Sequence, residues 1–321
     1  MDNFWSKYSS IQCELDEVKN IMRKNVRCID KVMEDTFIEM IDSSGKLLRP
    51  AFVILGGHFG KYNKNNTHRM GAFAEMLHMA TLIHDDIVDN ALLRRGNQTI
   101  QSKHGKKYAV YMGDFLFSRC FMLLTGMVEV ANLEIASKSI SRICSGEMEQ
   151  FLSQNNQNVT IKQYLRRISG KTAELFSLSL YMGAMQSKCS KRLCRNLWQI
   201  GHNIGMAFQI IDDILDFDGN ELTIKKTAGN DIKEGIYTLP ILYALKDGNS
   251  ILSSLLSKDT LSNEEISEIV NIVKDSGAVE KTKMLANQYT GKAFDFIKKL
   301  PDNEYREVLI DVTKTLLVRE Y

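Results

Sequence analysis

The chain predicts an all-α fold, one helical bundle over residues 1–321, and three observations carry that prediction. Apolar residues recur at three- and four-residue steps along most of the 321 residues, the spacing that puts them on one face of a helix. Only Pro50, Pro240 and Pro301 interrupt the pattern, and proline is what helix interiors exclude. Alternating β-branched runs joined by Asn-Gly turns are absent.

Taken in order, the helical rhythm runs from about Ile11 to Met22, Cys28 to Ile41 and Pro50 to Phe59. It resumes from His68 to Leu92, Lys106 to Val128, Leu133 to Phe151 and, without interruption, Ile161 to Met185. A long stretch from Arg192 to Phe217 precedes shorter ones from Leu239 onward. Ser262 and Glu265 have capping-box spacing, and Pro301 with Asp302 and Glu304 predicts a final helix that opens at the proline. Residues 93–105 and 218–236 break the rhythm with glycine and charge. Both read as mobile basic loops at one end of their helices, able to close over an open mouth.

Composition excludes several functions. A hydrophobic content of 44%, a charged content of 25% and a net charge of +2 suit a soluble globular protein. No basic stripe invites nucleic acid. Six cysteines without a CxxC pair read as free thiols of a reducing cytoplasm. Met1 to Lys7 lacks a basic region followed by an apolar one, and no window approaches the ~20 apolar residues of a transmembrane span. A cytoplasmic location is expected.

The chemistry is written in two copies of one short word, Asp85-Asp86-Ile87-Val88-Asp89 and Asp212-Asp213-Ile214-Leu215-Asp216. Each lies in an apolar run, where carboxylates are costly unless they protonate or hold cations. Residues i and i+4 share a helix face, so Asp85 should point with Asp89 and Asp212 with Asp216. Two such sets across a bundle interior would hold hard, oxygen-loving ions, and magnesium is the natural candidate. Cations lie around them: Lys46 and Arg49 at a helix start, Arg94 and Arg95 a bend after Asp89, Lys171 and Thr172 within an amphipathic helix, and Lys226 in the second loop. Metal-bridging carboxylates beside arginine forks suit a diphosphate. Gln209, three residues before Asp212, is a candidate substrate contact or support.

Each piece alone has a plainer reading: a single DDxxD is often a solvated face, Lys46, Arg49 and Lys171 are surface charges, and His78 and His84 are ordinary helix histidines. Two copies in apolar settings, each followed by a basic glycine-containing loop, outweigh that reading. Glu75-x-x-His78 raises a di-iron bundle, but that architecture needs a second such pair and the chain has none.

In this pattern the chain resembles the (all-E) trans-isoprenyl diphosphate synthases. The matching residues are Gly45-Lys46-x-x-Arg49-Pro50, His78, the first aspartate word, Arg94-Arg95-Gly96, Gly146-Glu147-x-x-Gln150 and Lys171-Thr172. Phe208-Gln209 ahead of the second word and Gly229-x-Asp231 leading to Thr238-Leu239-Pro240 complete the set. The resemblance implies a single isoprenoid-synthase domain whose two aspartate clusters face each other across a central cavity. It also implies a prenyltransferase that condenses isopentenyl diphosphate head-to-tail with an allylic diphosphate, farnesyl or geranyl. Three magnesium ions would sit on Asp85, Asp86, Asp89, Asp212, Asp213 and Asp216. Arg94, Lys171, Thr172, Gln209 and Lys226 would hold the allylic diphosphate, with Lys171, Arg94 and Gln209 closest to the chemistry. Lys46, Arg49, His78 and Arg95 would hold isopentenyl diphosphate.

Two departures stand out. The second loop reads Lys225-Lys226-Thr227 where the family usually has Gly-Lys-Pro, and Ile236 stands where a lysine often follows the glycine. Product length is expected to be set before Asp85, where short-chain members carry bulky aromatics. Here Ala80 and Thr81 are small, and with about one isoprene unit per ~5.4 Å helical turn the all-trans product should exceed about twenty carbons. The floor would be Phe73, Met76, Leu77, Phe115, Phe117 or Met122. This stretch is most similar to hexa- to octaprenyl synthases. A homodimer is expected, the alternatives being the catalytic subunit of a two-component heptaprenyl enzyme with a small partner, and a terpene cyclase.

Overall fold

The computed structural model describes residues 4–94, 96–125, 130–218, 229–258 and 260–317. They divide into two compact units, Met1–Ile135 with Leu178–Leu197, and Ala136–Ser177 with Trp198–Tyr321. Both are helical, as the periodicity predicts.

The first unit contains α1 (Ser9–Asn25), α2 (Lys31–Asp42), α3 (Leu48–Gly57), α4 (Lys64–Val88), a small hairpin, α5 (Ile100–His104) and α6 (Lys106–Leu124). Asp30 caps α2 by accepting from Met33 N at 3.1 Å, and Asn63 caps α4 by accepting from Asn66 N at 3.0 Å. These side chains satisfy donors that a helix start leaves unpaired. Helix α4 packs against α1, α3 and α6. It is therefore buried on every side through Ala72, Phe73, Ala74, Met76 and Leu77 rather than along one stripe. Each large apolar side chain buried there contributes roughly 1.5–3 kcal/mol.

Residues 93–105 are not the mobile loop expected. Strands β1 (Leu93–Arg94) and β2 (Asn97–Gln98) pair antiparallel, Leu93 opposite Gln98 and Arg94 opposite Asn97. Gly96 takes the turn at φ 82°, a conformation open to glycine. Thr99 then caps α5, and its hydroxyl also donates to the Ala91 carbonyl at 2.6 Å. The Gln101 amide donates to the carbonyls of Asp86 (2.5 Å) and Ala91 (2.9 Å). Carbonyls at the end of α4 need such partners, and that need orders the segment.

Three helices cross from one unit into the other: α7 (Val130–Leu152), α9 (Glu174–Gln186) and α10 (Lys191–Asp218). The second unit adds α8 (Ile161–Ile168), α11 (Asn230–Lys233), α12 (Leu239–Lys246), α13 (Ser250–Leu255), α14 (Asn263–Asp275), α15 (Ala278–Ile297) and α16 (Glu304–Leu317). Helix α12 packs against α8, α13, α14 and α15. The Ser262 box forms in both directions, Glu265 N to Ser262 Oγ at 3.2 Å and Ser262 N to Glu265 Oε2 at 2.8 Å. Two boundaries differ from expectation. The last helix opens at Glu304, not Pro301, because Asn303 supplies the cap, accepting from Arg306 N at 2.9 Å. The stretch expected to run unbroken from Ile161 to Met185 contains a π-helical turn, Ser169–Ala173, between α8 and α9.

Arg95 and residues 219–228, which include Lys226 and most of the second loop, lie outside the described residues. Among the described residues no helix is long and apolar enough to cross a membrane. All six cysteines are free.

Candidate active site

In the first unit the site grows from the last turns of α4. Glu75, His78, Met79, Leu82, Ile83 and Asp86, related by steps of three and four residues from Glu75 onward, share one face of the helix and line a cavity. Gly45 and Arg94 close other sides of it. Asp86 is 7% exposed, and Arg94 Nε bonds its Oδ1 at 2.8 Å. Burial pushes the Asp86 carboxyl above its usual range, while the Arg94 charge and hydrogen bond pull the other way. Asp85 is half-buried and Asp89 is exposed. The inward member is thus the middle aspartate, not the i, i+4 pair that the spacing suggested. The reason is angular: at 3.6 residues per turn Asp86 continues the Leu82–Ile83 stripe and its neighbours rotate away from it.

The Gly45–Pro50 turn is held in an uncommon conformation. Leu47, the N-cap of α3, has φ 50° and ψ 41°, the left-handed region that bulky residues avoid. Trp5 Nε1 donates to the Lys46 carbonyl at 2.6 Å, and the Lys46 ammonium lies 4.9 Å from the Phe4 ring centroid. Lys46 is exposed and Arg49 half-buried in the first turn of α3. Ala80 is fully buried, and half-buried Thr81 donates to the His78 carbonyl at 2.8 Å. Of the candidate tunnel residues, Phe73, Met76 and Leu77 are buried and Met122 is 55% exposed. Phe115 stacks on Phe37, and Phe117 on His84.

The second unit repeats the arrangement with different partners. Asp213 is 3% exposed, Asp212 is exposed and Asp216 half-buried. Tyr164 donates its hydroxyl to Asp213 Oδ2 at 2.5 Å, and Gln209 Nε2 donates to Oδ1 at 2.9 Å. Burial drives the Asp213 carboxyl up to about 7, against the lowering effect of those two hydrogen bonds. Gln209 therefore serves Asp213, four residues on, rather than Asp212. The Thr172 hydroxyl donates to Gln209 Oε1 at 2.7 Å, and Lys171 pairs with Glu147 at 2.7 Å. Asp216 accepts from Gly229 N through its carbonyl (3.1 Å) and from Asp231 N through Oδ2 (3.4 Å).

The π turn presents Lys171 and Thr172, and glycines let it nest between helices. A Cβ on Gly146 of α7 would lie 2.6 Å from Lys171 N, and one on Gly205 of α10 would lie 2.5 Å from the Ala173 Cα. Such single-turn π insertions recur at functional sites. The sequence reading missed Tyr164, because an aromatic on the apolar stripe of a helix looks like a core residue. It also missed Gln101, whose amide has no helical periodicity to betray it.

The donor set is chemically uniform. The accessible groups, Asp85, Asp89, Asp212 and Asp216, offer only carboxylate oxygens, which suit hard divalent cations and poorly suit zinc or copper. Among the described residues no three His, Cys, Asp or Glu side chains gather into a ready-made metal nest. Magnesium needs no such nest, since it keeps several water or phosphate oxygens.

The helical framework and the two acidic helices define the chain as an all-α protein of the isoprenoid-synthase type. A crystal structure of heptaprenyl diphosphate synthase from Staphylococcus aureus superposes with a TM-score of 0.92 at 35% identity, over 97% of this chain and 99% of that one. A polyprenyl synthase from Caulobacter crescentus CB15, complexed with calcium and isoprenyl diphosphate, gives 0.90 at 29% identity over 97% and 96%. Heptaprenyl diphosphate synthase component 2 of Bacillus subtilis (strain 168) is 33% identical over 318 residues, 99% of this chain and 91% of its own length. The polyprenyl synthetase family pattern matches residues 30–273. The chain belongs to the polyprenyl synthetase family. The fold, the prenyltransferase class and polyprenyl diphosphate synthesis expected from the motifs are borne out.

Proposed function

We propose that the chain condenses isopentenyl diphosphate head-to-tail with an allylic diphosphate, farnesyl or geranyl, in a magnesium-dependent reaction giving an all-trans product longer than about twenty carbons. The observation that carries this reading is the repeated arrangement of the aspartates. Each cluster buries its middle carboxylate against fixed donors, Arg94 on Asp86 and Tyr164 with Gln209 on Asp213, and leaves its outer two more accessible. Anchored centres with accessible flanks suit ions shared between protein and diphosphate oxygens.

In this proposal the two clusters act on one diphosphate within a single domain of residues 1–321. Asp85, Asp89, Asp212 and Asp216 offer oxygens to three magnesium ions, and Asp86 and Asp213 complete the set. Bound magnesium supplies Lewis-acid stabilisation of the diphosphate that leaves as the allylic C1–O bond breaks. Arg94, Lys171, Thr172, Gln209 and Lys226 orient the allylic diphosphate. Lys46, Arg49, His78 and Arg95 hold isopentenyl diphosphate, whose π bond attacks the allylic carbon. The cation so formed loses a proton to the departed diphosphate, which restores a double bond. The chain then grows past Ala80 and Thr81. Exposed Val110, Tyr111, Phe121 and Met122 along α6 suit a second copy of the chain, in keeping with a homodimer.

A second reading rests on the 33% identical relative called component 2: this chain is then the catalytic subunit of a pair and stays silent without a small partner. One assay separates the readings. Purified protein with magnesium, isopentenyl diphosphate and farnesyl diphosphate should yield a ladder beyond about twenty carbons. Turnover only after a second protein is added supports the two-component form. A cyclic hydrocarbon as the product overturns both.

A further inference from the structure

Four residues of the second unit form a directed chain of hydrogen bonds that ends on one buried carboxylate. The Thr172 hydroxyl donates to Gln209 Oε1 at 2.7 Å, and that bond fixes which end of the amide faces away. Gln209 Nε2 must then point at Asp213, where it donates to Oδ1 at 2.9 Å. From the other side Tyr164, fully buried, donates to Oδ2 at 2.5 Å. Both oxygens of Asp213 are thereby engaged and its orientation is over-determined. Tyr164 is itself held: the Arg167 guanidinium lies 5.5 Å from its ring centroid. Arg167 in turn is tied to the Tyr237 carbonyl at 3.2 Å and to Ser153 Oγ at 3.1 Å.

We propose that Tyr164 is a positioning residue of the diphosphate site, acting through Asp213 to set the rotation of α10 and hence the aim of Asp212 and Asp216. The physical argument is that Asp213 lies about 100° around the helix from Asp212, so whatever fixes the inward carboxylate fixes the direction of its neighbours. Buried in place, an Asp213 oxygen without its phenol donor is an unmet acceptor. The side chain then turns to find another partner, and the helix face turns with it. The same chain of bonds joins the Lys171–Thr172 turn to the acidic helix, so groups assigned to one diphosphate move as one body. Nothing in the aspartate motif requires a tyrosine forty-nine residues earlier. The tertiary contact alone assigns it.

The inference rests on the metal–diphosphate reading above, and the test keeps the two apart. The probe is Mg²⁺ with inorganic pyrophosphate, read as the rise in melting temperature of the full chain. Wild type should show the rise; its absence overturns the proposed function and the inference with it. Tyr164→Phe keeps the ring and should need about tenfold more Mg²⁺ for the same rise, the size of effect seen when an outer support of a metal ligand is lost. In turnover it should lower kcat while leaving KM for isopentenyl diphosphate within about twofold, since the groups assigned to that substrate lie elsewhere. Added to Asp213→Ala, Tyr164→Phe should cause no further loss in Mg²⁺ dependence. An unchanged Mg²⁺ requirement, or full additivity with Asp213→Ala, overturns the role. If Tyr164→Phe does not fold, fluorotyrosine labelling of the wild-type sequence gives the measurement. The tyrosine fluorine resonance displaced by Asp213→Ala must also move on adding Mg²⁺ and pyrophosphate, and a stationary resonance overturns the inference.

Discussion

The imidazole of His84 occupies the space that a side chain at Gly113 would need. A Cβ built on Gly113 would stand 2.6 Å from His84 Cδ2 and 2.9 Å from Cε1. The ring also stacks on Phe117, with centroids 5.6 Å apart, and its Nε2 lies 3.4 Å from Asp114 Oδ1. Helix α6 thus carries a receptacle for the residue immediately before Asp85. Gly113→Ala should expel the ring and cost about 1–3 kcal/mol, the usual penalty of overpacking. Urea unfolding of the variant checks this, and an unchanged midpoint would mean that the ring relocates without cost.

Asp212 and Asp213 are adjacent in sequence and opposite in environment, exposed against 3% exposed. Asp212→Ala should reduce kcat by roughly 10²-fold or more through lost transition-state stabilisation. Its stability should stay within about 0.5 kcal/mol of wild type, as for most exposed sites. Asp213→Ala should lose both activity and stability. Kinetics paired with thermal melts distinguish the two, and equal stability losses would contradict the burial difference.

Ala80 is fully buried on α4. If the growing chain passes there, Ala80→Phe should shorten the product by filling empty length rather than packed core. Mass analysis of the products should then show shorter chains with little change in melting temperature. A stability loss of about 1–3 kcal/mol with an unaltered product distribution would mark Ala80 as ordinary core.

Glu14 of α1 bridges three side chains. His68 Nε2 lies 2.8 Å from Oε2 and His58 Nε2 lies 3.3 Å from Oε1, while the Tyr62 hydroxyl also donates to Oε2. Burial works to raise this carboxyl, but the hydrogen bonds from His58, His68 and Tyr62 outweigh it and hold the pKa at about 2, below the ordinary 4.5. A depressed carboxyl stabilises the fold above its unfolded value and ceases to do so as pH falls through the folded one. The stability gap between wild type and Glu14→Gln should therefore be full above pH 4.5 and close as pH approaches 2. Chemical unfolding along that range measures it, and a gap independent of pH would refute the coupling.

Much of this was legible in the residues. Three- and four-residue periodicity marked the helices because it gathers apolar side chains on a face that can be buried. The Ser262 box closed as expected because both its bonds lie within one turn. Misreadings occurred where distant partners decide. The segment after Asp89 is ordered by Gln101 bonding the Asp86 carbonyl of α4 and by Thr99 bonding the Ala91 carbonyl just beyond it. A π turn interrupts the predicted helix where Gly146 and Gly205 admit close backbones. The last helix starts three residues later than expected, where the Asn303 side chain accepts from Arg306 N.

By itself, the order of residues determined the fold class, the family and the identity of the acidic and basic groups, since these depend on local spacing and side-chain chemistry. Tertiary structure alone decided which donors meet the inward aspartate of each triplet. Arg94 reaches Asp86 from the hairpin that follows α4, and Tyr164 reaches Asp213 from another helix. The physical reason is that a buried carboxylate must find donors in three dimensions, and periodicity along one helix carries no record of what the neighbouring helix presents.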